Sequence, residues 1–152
     1  MRYAYPYDLA AQPEGGFTVT FPDVPEAITQ GENEEEAAAM AEDALVTALT
    51  FYTEHDEPLP RPSAARGRRV ARLAPLIAAK LALHDAMVRA RVSNAALARR
   101  LGVDEKVVRR MRDPLYRSRM DQIDAALRSL GCRIEVVVAT EGEIEPGAAD
   151  AR

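Results

Sequence analysis

Ser93-Asn94-Ala95-Ala96-Leu97-Ala98-Arg99-Arg100-Leu101-Gly102-Val103-Asp104-Glu105-Lys106-Val107-Val108-Arg109-Arg110-Met111 is the stretch on which the fold turns. Ser93 and Asp104 each stand where a side-chain oxygen can take a first-turn N–H, so a short helix is predicted after each. Gly102 supplies the positive φ that a tight turn between them needs. Ala98 is small enough to let the two helices cross steeply. Leu97, Leu101, Val103, Val108 and Met111 then close a small core. Together these are the constrained positions of a helix-turn-helix.

The flanks extend that pattern. Before it, Pro75 suits a first helical position, and Ile77, Leu81, His84 and Val88 share a face, with His84 read as a satisfied core histidine. After it, Ser118 with Asp121 is predicted to cap a fourth helix that carries Met120, Ile123, Leu127 and Leu130 inward and stops at Gly131. A helix on each side makes the motif one of phage-repressor type. With Ala98, Val108 and Met111 inward, the second short helix turns Glu105, Lys106, Arg109 and Arg110 outward, where a recognition helix meets base edges and phosphates. Asn94, Arg112, Arg117 and Arg119 are placed for phosphate contacts. A single such helix reads little sequence, so a dimer on a two-fold operator is expected. Arg133-Ile134-Glu135-Val136-Val137-Val138 is strand-like and lacks a partner in a four-helix unit, so it is predicted to pair with its copy in a second chain.

The N-terminal half has a different grammar. Tyr3, Tyr5, Tyr7 and Leu9 alternate with Ala4, Pro6 and Asp8, as do Phe17, Val19 and Phe21 with Thr18 and Thr20, so each run is a half-buried strand. Pro13-Glu14-Gly15-Gly16 joins them as a hairpin, and Pro6, which cannot donate to a ladder, implies an exposed edge nearby. Pro22-Asp23-Val24-Pro25 forces an extended loop. Asn33 with Glu36 resembles a capping box, and Glu34–Glu36 suit the positive end of a helix dipole. The helix runs to about Glu54 on a stripe of Ala37, Met40, Ala41, Ala44, Leu45, Ala48 and Tyr52. Glu57-Pro58-Leu59-Pro60-Arg61-Pro62-Ser63 is a linker or loop. Residues 68–73 hold a third strand that either returns to the first sheet or opens the second module.

Charge divides the chain in the same place. Its 152 residues carry a net −4. Residues 1–60 hold one base against 13 acids, a balance of −12, and residues 61–133 hold 18 bases against 6 acids, a balance of +12. Two modules with different partners are expected, the basic one for a polyanion and the acidic one for something basic. No apolar run approaches the roughly 18 residues of a membrane span, and no signal-peptide core begins the chain, so a cytoplasmic protein with no membrane partner is expected. One Cys and two His make a structural zinc site untenable. Cys132 has no placed base, and Gly15-Gly16 is a hairpin turn rather than a phosphate cradle.

Gly15-Gly16-Phe17-Thr18-Val19-Thr20-Phe21-Pro22-Asp23-Val24-Pro25 followed by Ile28-Thr29-Gln30-Gly31-Glu32-Asn33-Glu34-Glu35-Glu36-Ala37 resembles the HicB antitoxin family signature of strand, Pro-Asp-x-Pro loop, Thr-x-Gly and acidic helix start. Ala78-Ala79-Lys80-Leu81-Ala82-Leu83, the helix-turn-helix and Arg117-Ser118-Arg119-Met120-Asp121-Gln122 resemble the branch with a helix-turn-helix tail. Glu26-Ala27 replaces the usual Gly-Cys, and Asn33 stands where Thr or Ser caps the helix. The tail after Thr140 lies outside the resemblance.

The resemblance implies an α+β protein: a partial RNase H-like ββαβ domain, then a phage-repressor-type helix-turn-helix domain with a C-terminal strand. It implies that residues 1–60 bind and silence a small basic ribonuclease of HicA type, with residues 61–74 as linker or strand. Residues 75–139 would repress the pair's own operator and dimerise or tetramerise; apart from the resemblance, the acidic composition with Pro146 and Gly147 reads 140–152 as a disordered tail. Asp23 and Glu26, on the loop leaving the second strand, are the candidate toxin contacts. No catalytic residue, metal or cofactor is expected. Asp8, Asp23 and Glu32–Glu36 are carboxylates near strand ends, yet so short a sheet without a placed histidine does not make a two-metal nuclease. The alternative is a stand-alone transcriptional regulator whose acidic N-terminal domain binds another ligand or protein.

Overall fold

Turn chemistry closes the first pairing. Strand β1 (Ala4–Ala11) and strand β2 (Phe17–Thr20) run antiparallel from Asp8↔Thr20 to Ala11↔Phe17. The hairpin is locked by the Gln12 N–H on the Gly16 carbonyl at 2.9 Å, with Gly15 and Gly16 at φ 103° and 77°. Strand β3 (Ile28–Gly31) pairs β2, and strand β4 (Arg69–Arg72) returns to pair β1 across Ala4–Tyr7, giving the sheet order β3-β2-β1-β4. Helix α1 (Glu34–Glu54) lies between β3 and β4 in sequence. Helices α2 (Pro75–Ala90), α3 (Asn94–Leu101), α4 (Glu105–Arg112) and α5 (Met120–Ser129) complete an α+β chain. These elements come from a computed structural model that describes residues 1–140. Chain contacts divide the described residues into two units, one of Met1–Ala48, Pro60–Leu73 and 137–140, the other of Leu49–Leu59 and Ala74–Val136.

In the first unit the expected ββαβ start is βββαβ. The added strand, Ile-Thr-Gln-Gly, is four residues long with Ile28 exposed, so it shows no apolar alternation and owes its form to the ladder beside β2. Between the open choices for residues 69–73, the sheet takes them. Pro6 sits where β1 pairs β4 but not β2, since the β1–β2 ladder begins at Asp8. Asn33 caps α1 through its Oδ1 on the Glu36 N–H at 2.8 Å, and the Glu36 carboxylate takes the Glu32 N–H at 2.7 Å. The fully buried row of α1 is narrower than the predicted stripe. Ala37, Ala41 and Leu45 recur every four residues in this unit and Leu49 continues the row in the second, whereas Met40 is exposed and Ala44, Ala48 and Tyr52 are half-buried. Tyr5, Tyr7, Val19, Phe21, Val24, Ala27 and Ala71 supply the rest of this core. The Tyr7 and Phe21 rings stand 5.6 Å apart.

The second unit buries Leu83, Met87, Leu97, Ala98, Val108, Met111, Ile123 and Leu127 in one cluster. Apart from Ala98, each of these side chains contributes about 1.5–3 kcal/mol when fully buried. Ser93 Oγ accepts the Ala96 N–H at 3.1 Å and Asp104 Oδ1 the Lys106 N–H at 2.8 Å, so both predicted caps form. Gly102 ends α3 at φ 66°. Val103 is 38% exposed rather than a core member. Ser118 is not a cap: Arg119 occupies that position without a side-chain bond, while Ser118 Oγ reaches the Arg110 carbonyl at 3.4 Å.

The run over 134–138, expected to pair with its copy in a second chain, forms no strand within the single chain. Val136, Val137 and Val138 are 70%, 79% and 91% exposed. A β-branched run forms a strand only against a ladder partner, and a single chain offers none. Of the tail predicted over 140–152, residues 141–152 lie outside the described residues. Among the described residues no helix is long and apolar enough to cross a membrane, and no cluster of His, Cys, Asp or Glu is arranged to hold a metal ion.

Candidate functional site

The outer face of α4 carries half of the eight predicted nucleic-acid residues, with Glu105 at its first turn. Lys106, Arg109 and Arg110 are exposed there, because Val108 and Met111 take the inward positions. Glu105 is half-buried at the first turn and lies 2.8 Å from Arg109 four residues on, so the Arg109 charge is partly answered within the helix. Arg110 carries no such carboxylate; its guanidinium lies over the Tyr116 ring, 5.1 Å from the centroid. Arg117 is exposed on the loop between α4 and α5. Arg119, also exposed, is joined to Asp121 by two hydrogen bonds, and this arginine holds the Asp121 carboxyl below its usual range.

Two predicted phosphate contacts are placed otherwise. Arg112 is buried, 7% exposed, and donates through Nη1 to Asn94 Oδ1 at 2.6 Å. Its Nη2 donates to His84 Nδ1 at 2.7 Å and forms an ion pair with Asp56. The helical period explains the correction: position 112 is four residues after Val108 and one after Met111, on the inward stripe. Asn94 spends its carbonyl oxygen on this arginine rather than on a ligand.

His84, fully buried on α2, is satisfied on both nitrogens, as expected. Its Nε2 lies 2.6 Å from the Glu57 carbonyl, which can only accept, so Nε2 carries the hydrogen and Nδ1 is free to accept from Arg112. Burial drives the imidazole pKa down; the Glu57 bond opposes this and the Arg112 charge adds to it. The Leu59 N–H donates to Asp85 at 3.2 Å, so residues 56–59 are held to α2 and α4 by polar bonds.

Sequence reasoning missed Lys80. Its side chain is fully buried in α2, and Nζ donates to the carbonyls of Arg110 at 2.9 Å and Asp113 at 2.8 Å, and to that of Tyr116. Burial lowers its pKa, with Asp113 pulling the other way. The available signal was position: Lys80 stands between Ala79 and Leu81 on a helix buried nearly all round.

In the first unit Asp23 and Glu26 occupy a loop stitched by Val24 N–H on Phe21 O and Ala27 N–H on Val24 O. Phe21, Val24 and Ala27 tuck inward and leave Pro22, Pro25 and Glu26 outside. Asp23 is half-buried, and its Oδ2 accepts the Ser63 N–H at 2.8 Å and hydroxyl at 2.9 Å. That carboxylate ties the loop to the chain before β4. Glu32, Glu34, Glu35 and Glu36 are exposed at the start of α1, where Glu34 pairs with Arg69 of β4. Asp8 pairs with Arg68 at 2.8 Å.

Comparison with known proteins gives a consistent set. A profile of HicB-like antitoxins of bacterial toxin–antitoxin systems matches residues 4–82. Antitoxin HicB 2 of Photorhabdus laumondii subsp. laumondii is 42% identical over 137 residues, spanning 90% of this chain and 96% of the relative. Antitoxin HicB of Escherichia coli (strain K12) is 36% identical over 135 residues, 88% of this chain and 98% of the relative. Antitoxin HicB of Pseudomonas fluorescens (strain Pf0-1) is 35% identical over 136 residues, 88% and 92% of the two chains.

Proposed function

The chain belongs to the HicB-like antitoxin family of bacterial toxin–antitoxin systems, and from that premise we propose a two-part antitoxin. Its acidic N-terminal region, residues 1–60 with β4, binds and silences a small basic ribonuclease of HicA type. Residues 75–139 act through α3 and α4 as a helix-turn-helix that represses the pair's own operator in the cytoplasm. The N-terminal region is read as a partial RNase H-like fold.

The observation that carries this is the separation of surface charge. The region balanced at −12 presents Glu26, Glu32, Glu35 and Glu36 outward, carboxylates set where RNA phosphates would meet a cationic enzyme. The region balanced at +12 presents Lys106, Arg109, Arg110 and Arg117 on α4 and the loop after it, with Arg119 beside them. Glu105, at the first turn of α4, is the one acceptor in that set and suits an exocyclic amino group of a base. Asn94 and Arg112 drop out of the set, and Asp23 serves mainly to hold Ser63. The exposed Val136–Val138 run is the face offered to a second copy, giving the dimer that a two-fold operator requires.

Growth rescue tests the toxin half. Where the adjacent reading frame encodes a small basic protein, that protein is induced in a host with and without the full chain. Rescue supports the proposal. A harmful neighbour that a soluble full chain does not relieve would overturn it and leave the stand-alone regulator as the reading.

A further inference from the structure

Of the exposed cations on α4, one is held in place by groups that themselves face no ligand. We infer that Lys80 and Tyr116 are positioning residues for Arg110: the buried Lys80 ammonium folds the chain after α4 into a fixed loop, and the Tyr116 ring so placed holds the Arg110 guanidinium ready for a nucleic-acid phosphate. This role rests on the DNA-binding reading of α4 above.

The geometry is specific. Lys80 Nζ collects three carbonyls, those of Arg110 at the end of α4, Asp113 and Tyr116. An ammonium has three hydrogens, so its donor capacity is used in full. The Arg110 carbonyl is among those a helix end leaves without an intrahelical partner, and Asp113 and Tyr116 sit on the loop that follows. The clamp therefore fixes the direction of the chain just where α4 stops. The Tyr116 N–H on the Asp113 carbonyl at 3.1 Å tightens the same turn.

Tyr116 is 44% exposed, yet its ring is not idle: Arg110 stands 5.1 Å from its centroid and Lys80 Nζ 5.7 Å. A planar guanidinium over an aromatic face keeps its N–H edge free for a phosphate while losing rotational freedom. Arg109 lacks this arrangement and is paired to Glu105 instead. Arg110 is thus the α4 arginine whose contact is prepared before DNA arrives, and an exposed phosphate bond benefits most when little freedom is lost in making it.

The test is a double-mutant cycle on the full chain, with a labelled duplex taken from upstream of its own gene and binding read by fluorescence anisotropy. Arg110→Ala should weaken binding about tenfold and flatten the salt dependence by about 0.9 in log–log slope, one phosphate contact. Tyr116→Ala should weaken it roughly two- to five-fold, the size of an exposed cation–π contact. In the Arg110→Ala background Tyr116→Ala should add nothing; with Arg110 present, Tyr116→Phe, which keeps the ring, should bind like the unsubstituted chain. Tyr116→Ala leaves all three carbonyls in place, so its thermal midpoint should stay put. Lys80→Met, measured well below its own midpoint, should reproduce the Tyr116→Ala loss. Additive losses at Arg110 and Tyr116, or no loss at Tyr116, with the unsubstituted chain binding tightly, would overturn the positioning role alone. No binding of any duplex by the unsubstituted chain would overturn the DNA reading and this role with it.

Discussion

Arg112 separates a structural arginine from a DNA-binding one, and Arg112→Met isolates the difference. Methionine keeps the unbranched stem and removes the guanidinium. What is lost is the bond to Asn94, the bond to His84 and the ion pair with Asp56. Hydrogen bonds to a charged group contribute about 1.5–3 kcal/mol each. The Asp56 side chain is 72% exposed, so its share falls toward the ~0–1 kcal/mol of a surface pair. His84 Nδ1 is left buried without a donor, which costs about 1–3 kcal/mol. Against this, the Arg112 Nε that is buried without a partner disappears, a gain of about 1 kcal/mol. The net is a destabilisation of at least about 3 kcal/mol, the size expected for breaking a buried charged network. For a unit of this size that lowers the melting temperature by at least roughly 12 °C. Calorimetry or circular dichroism reads the midpoint, and anisotropy at a temperature where the variant is folded reads DNA affinity. Affinity and its salt slope should be unchanged. An unaltered midpoint with weaker binding and a slope flatter by about 0.9 would show the guanidinium to be a phosphate ligand and refute the structural role.

Three further outcomes follow from named contacts. A Cβ at Gly31 would lie 2.4 Å from the Ala37 nitrogen and 2.7 Å from its Cα, both backbone atoms of α1. Gly31→Ala should therefore destabilise the first unit by at least about 3 kcal/mol, the upper range for overpacking; an unchanged urea midpoint would mean that α1 shifts freely. His84 is neutral in the fold, its pKa pushed by burial below the usual 6.5. The unfolded chain therefore takes up the proton first, so this contribution is complete above pH 6.5 and is lost as pH falls through that value toward the folded one, at up to about 1.4 kcal/mol per pH unit. His84→Gln should flatten that segment of the stability–pH curve, and an identical slope in the variant would place the titration elsewhere. The chain's affinity for its operator should fall steeply with salt, about 0.9 of log–log slope per phosphate neutralised; a flat response would argue against the basic α4 face as the contact surface.

What the sequence made legible is what local rules decide. The Gly15-Gly16 turn, the Asn33–Glu36 box, the Ser93 and Asp104 caps and the Gly102 stop each act within a few residues, and each forms where its chemistry predicts. Strand β3 was not legible because Ile28–Gly31 has no apolar alternation of its own and is made by β2. Val136–Val138 are the converse case, strong β propensity that meets no ladder within one chain and stays exposed. The candidate site divides along the same line. Lys106, Arg109 and Arg110 face outward as helical period requires. Arg112 obeys the same period and turns inward, but its charge suggested a surface residue, and its partners stand 18, 28 and 56 residues away in the chain. Lys80 was hidden for the same reason, since its three carbonyl partners lie 30 to 36 residues on. Charge reveals what a residue can bind, while only the fold reveals what it does bind.

The most direct test of the two-part antitoxin is to carry Arg109→Ala with Arg110→Ala through both functions at once. The variant, folded by circular dichroism, is assayed for operator binding and for rescue of cells expressing the neighbouring toxin. The proposed division predicts operator binding abolished and rescue intact. Loss of both together in the folded protein would contradict it, because one surface would then serve both partners.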